Sequence, residues 1–64
     1  MVFAVFAGDG TPTGGWGDLI AVRDTIYEAR SEVYFQFGEI KTYYDWYQIV
    51  DLTSLEVAEQ DMRL

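Results

Sequence analysis

Residues 2–7, Val-Phe-Ala-Val-Phe-Ala, are apolar on both sides of an extended chain. Phe3 and Val5 fall on one side, and Val2, Ala4 and Phe6 on the other. A half-solvated strand alternates apolar with polar residues, whereas a strand covered on both faces reads as an unbroken apolar run. The segment predicts a central strand, so later segments must supply neighbours along both of its edges. The chain has 64 residues, enough for a single domain spanning 1–64. A domain this small hides only roughly 60% of the surface that its unfolded chain exposes, so its stability is marginal. Half of the residues are hydrophobic, which argues against disorder. Four Phe, five Tyr and two Trp exceed what so small a core encloses, and some rings are expected at the surface.

Residues 8–18 hold five of the six glycines and the only proline, which marks a long loop with Trp16 between Gly15 and Gly17. Loops of that length are often functional. Residues 19–23 form a second strand. Thr25 and Glu28 have the spacing of a helix N-terminal capping box, with Asp24 as an alternative cap. Ile26, Ala29, Val33 and Phe37 then fall on one helical face, and Gly38 suits the position just past a helix end. The spacing predicts a helix over 25–37. Residues 42–52 are aromatic and β-branched, as strands prefer. One face carries Tyr43, Asp45, Tyr47, Ile49 and Asp51; the other carries Tyr44, Trp46, Gln48, Val50 and Leu52. Thr53-Ser54 is a turn, 55–60 is a fourth strand that could also begin a helix, and the last four residues are expected to fray. The fold expected is α+β, in the order ββαββ. One helix covers one face of a four-stranded antiparallel sheet. The other face must be solvated, covered by the glycine-rich loop or buried against a partner.

Several chemistries are disfavoured. Without Cys there are no disulfides and no thiolate metal sites, and without His the commonest general base and zinc ligand are missing. No catalytic, metal or cofactor site is expected. Gly8-Asp9-Gly10 lacks the Lys-Ser/Thr end of a phosphate loop, and Asp9 would repel an anion. Asp9 and Asp18 are too few oxygen ligands for calcium without loop carbonyls. Asp45 and Asp51 stand roughly 20 Å apart at strand rise, too far to share acid–base work. No apolar run reaches the ~20 residues that span a bilayer. Eleven acidic and four basic residues give a net charge of −7, which opposes binding to nucleic acid phosphates and anionic lipid. A cytoplasmic location and a basic protein partner follow as expectations, although the same charge also serves solubility.

Gly14-Gly15-Trp16-Gly17-Asp18, then Asp24-Thr25, then Tyr44-Asp45-Trp46-Tyr47-Gln48-Ile49-Val50-Asp51 resemble a group of very small acidic proteins encoded by phages and prophages. In that group a short first strand runs into a Gly-Gly loop, followed by a helix opening with Asp-Thr and a Tyr-Asp-rich strand. The helix here is more aromatic than in the group, with Tyr27, Tyr34, Phe35 and Phe37. The resemblance implies no activity. It implies a phage-encoded accessory protein acting in an infected or prophage-bearing bacterial host, with inhibitors of host defence among the options.

Together these readings favour a non-enzymatic protein-interaction module, an inhibitor that docks on a basic surface of a host defence or nucleic acid-binding protein. The expected contacts are Tyr43, Asp45, Trp46, Tyr47 and Asp51 on the aromatic strand, Trp16 in the loop, and Glu28 and Glu32 on the helix. Aromatic rings dominate binding hot spots and carboxylates pair with a partner's cations. The competing reading for each ring is ordinary core, and for each helix acid an ordinary wet face. Two further classes stay open. One is a self-assembling module, a dimer or larger oligomer that buries its open sheet face. The other is a small-ligand binder using the loop around Trp16.

Overall fold

The computed structural model describes residues 1–12 and 14–63. Strands β1 (Phe3–Gly8), β2 (Leu19–Arg23), β3 (Trp46–Asp51) and β4 (Glu56–Met62) form one antiparallel sheet in the order β2-β1-β3-β4. Helix α1 (Ile26–Ser31) packs on one face, against β2, β1 and β3. The α+β class and the ββαββ order are as the sequence predicts. β1 is central, paired with β2 on one edge and β3 on the other, and Ala4 and Val5 are fully buried. The Cα positions span 29 × 27 × 15 Å, a thickness that holds one sheet and one helix but no third layer.

The core lies between sheet and helix. Phe3, Val5, Ala7, Ala21, Tyr47 and Ile49 project from the sheet toward Ala29, Val33 and Ile40. Both edge strands carry a β-bulge. Ile20 is extra opposite Val5 and Phe6, and Ala58 is extra opposite Ile49 and Val50. Bulges twist an edge and discourage further strands from joining it.

The helix starts where its sequence says and stops early. Glu28 N–H donates to Thr25 Oγ1 at 3.1 Å, and the Thr25 hydroxyl donates to Glu28 Oε1 at 3.3 Å. A cap of this kind contributes about 1 kcal/mol. The expected helix over 25–37 is corrected to Ile26–Ser31, with Glu32 as the C-cap. Tyr34 then pairs with Ile40 in an antiparallel bridge, with Phe35 N–H on Glu39 O at 2.7 Å and Lys41 N–H on Val33 O at 2.9 Å. Gly38, at φ +81°, closes this small hairpin and is not a helix cap. Val33, Tyr34, Phe35 and Phe37 are β-branched or aromatic and lose side-chain freedom in a helix. The hairpin still delivers Val33 and Ile40 to the core and leaves Phe37 80% exposed.

The third strand begins at Trp46 and not at Thr42, because Tyr44 N–H turns back onto Lys41 O at 3.0 Å. Residues 61 and 62, expected to fray, are paired in β4, where Asp61 lies opposite Tyr47 and Met62 opposite Trp46. Leu64 lies outside the described residues. The Thr53-Ser54 turn is present and ends on Leu55, whose φ of 61° is left-handed. A side chain there costs roughly 1 kcal/mol or more that glycine avoids. The Leu55 side chain is exposed and has little packing to lose. Leu55→Gly is expected to raise stability by about 1 kcal/mol. The check is urea unfolding, with the midpoint rising at unchanged slope.

Candidate functional site

Among the described residues, the face of the sheet opposite the helix is largely apolar and is covered at one end only. β1 and β3 place Ala4, Phe6, Trp46, Gln48 and Val50 on it, by alternation with the core residues. β2 adds Ile20 and Val22, and β4 adds Val57, Gln60 and Met62. Val22 is 46% exposed and Val57 48%.

The glycine-rich segment crosses one end of this face. Trp46 lies close against Gly8, where an added Cβ would come within 3.3 Å of the indole. Gly10 and Gly14 take positive φ, which lets the chain fold back over the sheet. Asp45 anchors that return, accepting from Gly10 N–H at 2.7 Å while its own N–H donates to Gly8 O at 2.8 Å. Asp18 closes the loop's far end, accepting from Gly14 N–H at 3.2 Å. Trp16 starts a 3-10 turn and sets its ring against Phe6, with centroids 5.8 Å apart at 52°.

Among the described residues, two cavities share Pro12 in their lining. The first, about 260 Å³, is lined by Phe6, Gly14, Gly15, Trp16, Asp18 and Val50. The second, about 270 Å³, is lined by Tyr47, Gln60, Asp61 and Met62. Pro12, Trp46 and Gln48 belong to both. Each cavity has one carboxylate and no Lys or Arg in its lining. Among the described residues, Trp46 Nε1 is the one buried side-chain polar atom without a hydrogen-bond partner. Such a group forgoes roughly 1–3 kcal/mol of solvation.

The expected contact strip on β3 is not one surface. Tyr47 is 1% exposed and faces the helix, and Trp46 is 3% exposed on the opposite face. Tyr47, under the helix, offers no surface to a partner, which corrects the sequence expectation for it, and Trp46 is accessible only through the loop-covered end of the open face. Asp45 is engaged with the loop, and Asp51 Oδ1 accepts from Thr53 N–H at 2.8 Å in the β3–β4 turn. Glu28 is exposed but belongs to the helix cap, and Glu32 pairs with Arg23 at 2.7 Å. Tyr43 remains exposed and stands edge-on to Tyr44 at 4.5 Å. Trp16 is 73% exposed and is the one expected contact that lies over the open face. Sequence reasoning missed Phe6, Pro12, Gln48 and Met62 as site residues. The signal available was the second apolar face of residues 2–7.

On the helix side a polar chain links four residues. Arg30 pairs with Glu59 Oε1 at 2.7 Å, Tyr47 donates to Glu59 Oε2 at 2.7 Å, and the Tyr34 and Tyr47 hydroxyls are hydrogen-bonded. Burial pushes the Glu59 carboxyl up, but donation from Tyr47, Tyr34 and Arg30 and the charge of Arg30 outweigh it, so it titrates below its ordinary 4.5. Burial, followed by the bonds to Tyr34 and Glu59, pushes the Tyr47 hydroxyl well above its ordinary value. These groups tie α1 to β3 and β4 and keep Tyr47 neutral and donating.

Residues 3–61 match the family described as bacteriophage T4 protein Y07C. The chain belongs to that family. The Y07C match takes in β1, β2, α1 and β3 entirely and nearly all of β4. It establishes phage kinship, as the resemblance to small phage proteins implied. No curated protein and no solved structure matches the chain. Among the described residues no helix is long and apolar enough to cross a membrane.

Proposed function

We propose that this member of a phage protein family is a binding module that docks its open sheet face onto a host protein and blocks the site it covers. The observation that carries this reading is a largely apolar sheet face covered at one end only, within a chain of net charge −7. Contiguous exposed apolar surface on a small domain marks an interaction site. None of the four basic side chains lines either cavity. Arg23 and Arg30 pair with Glu32 and Glu59 on the helix side, and Arg63 donates to the carbonyls of Ile40 and Thr42. The complementary surface is apolar, and the net charge of −7 favours a partner of opposite sign. Nucleic acid and anionic lipid fit poorly, since both repeat the charge of this chain. A second copy also carries −7, and both sheet edges are bulged, which weighs against self-assembly. A defence or nucleic acid-binding protein in the cytoplasm of the infected cell is the class of target that fits by charge.

The test is affinity capture from host lysate at low salt with the wild-type protein and two face variants. Recovery of a basic protein that is released as salt rises supports the reading. Val22→Glu and Val57→Glu place charge in the face at half-exposed positions and are expected to weaken capture by about tenfold or more. Tyr27→Ser, on the exposed side of the helix, is expected to leave it unchanged. Equal capture by Val22→Glu and wild type would sink the proposal.

A further inference from the structure

We propose that the cavity beneath Trp16 receives a single arginine side chain of the partner. This rests on the docking reading above and assigns the anchor within it. Phe6, Trp16 and Trp46 line the cavity, and the Phe6 and Trp16 rings meet at 52°, so they form an open corner and not a closed stack. Aromatic faces attract cations, and a planar guanidinium stacks on them better than a strongly hydrated ammonium does. Asp18 supplies a carboxylate in the same lining, held in place by Gly14 N–H. Gln48 donates through Nε2 to Gln60 Oε1 at 3.0 Å, which leaves its own Oε1 as a second acceptor on the cavity wall. Among the described lining residues there is no Lys or Arg, so an anionic group finds no counter-charge there. A cavity of about 260 Å³ has room for one arginine side chain and lies just below the range of about 300 to 1,000 Å³ typical of pockets for drug-sized ligands.

The chain's two tryptophans report occupancy. In a ¹⁵N-labelled sample each gives one indole N–H signal, and Trp16→Phe assigns them. The protein is titrated with N-acetyl-arginine amide, with N-acetyl-citrulline amide, which has the same shape without the charge, and with N-acetyl-lysine amide. Saturable millimolar shifts of both indole signals by the arginine amide, with little response to the other two, support the assignment. Asp18→Asn is expected to weaken the arginine affinity by several-fold to about tenfold while the backbone spectrum is retained. No saturable shift, an equal response to citrulline, or a stronger response to lysine overturns it. The ligand comparison needs no variant, so a misfolded mutant cannot obscure the result. The two proposals fail separately. If Val22→Glu abolishes capture but Asp18→Asn does not and arginine amide moves neither indole, the docking reading stands and the arginine pocket is wrong.

Discussion

Ile49→Ala is expected to remove a large share of the protein's stability. Ile49 has no exposed surface and sits mid-strand in β3, between Val5 of β1 and Glu59 of β4. Truncating a buried isoleucine to alanine costs about 2–5 kcal/mol, from lost transfer energy and from the cavity left behind. At 0.05–0.15 kcal/mol per residue, a chain of 64 residues holds roughly 3–10 kcal/mol in all. The single change therefore removes about a fifth of the stability or more. With no disulfide to restrain the unfolded chain, nothing covalent offsets the loss. Urea unfolding followed by tryptophan fluorescence gives the number. Val57→Ala, on the open face and half exposed, is the comparison and should cost much less. A loss below about 1 kcal/mol for Ile49→Ala would place the core elsewhere.

Tyr47→Phe removes one hydroxyl and disturbs two partners. Tyr34 and Glu59 both use that oxygen, and the residue is buried enough that water does not readily replace it. A hydrogen bond to a charged acceptor is worth more than a neutral one, so the expected cost at neutral pH is about 2 kcal/mol. The cost should depend on pH. The Glu59 carboxyl titrates below its ordinary 4.5 in the folded protein, so its contribution is present above that value and is lost as pH falls through the lowered folded value. Without the Tyr47 hydroxyl the lowering is smaller. The stability gap between wild type and Tyr47→Phe should therefore narrow as the pH falls below 4.5. Denaturant titrations at a series of pH values read this directly. A gap that stays constant through the acid range would mean that the hydroxyl does not stabilise the carboxylate.

The candidate site shows why strand patterning and surface prediction part company here. Tyr47 and Trp46 are neighbours in an aromatic strand, and both were plausible contacts by composition. The fold buries one beneath the helix and the other beneath the glycine-rich loop. Asp45 and Asp51 are polar residues in the same stretch, yet one anchors the loop and the other caps a turn. Short-range chemistry of this kind is visible only once Gly10 and Thr53 have been placed beside them. Trp16 was legible as an outlying ring because glycines flank it.

The class, the element order, the central place of β1, the cap at Thr25 and the long break after Gly8 were all legible in the amino-acid order. Each follows from local patterning, in which an apolar run, a capping pair or a cluster of glycines leaves few alternatives. Where the helix stops, and which side of β3 meets it, depended on packing between distant segments. Ile26, Ala29 and Val33 reach the core whether the chain after Ser31 continues as helix or turns back as a hairpin, so periodicity could not choose between them. On β3, Tyr47 and Ile49 face one way and Trp46 and Val50 the other, each side apolar enough to be buried. A period of two separates the two faces but does not say which one is covered. The helix claims the Tyr47 side, and the glycine-rich loop covers only one end of the Trp46 side. What is left of that side is the open apolar surface on which the proposed function rests.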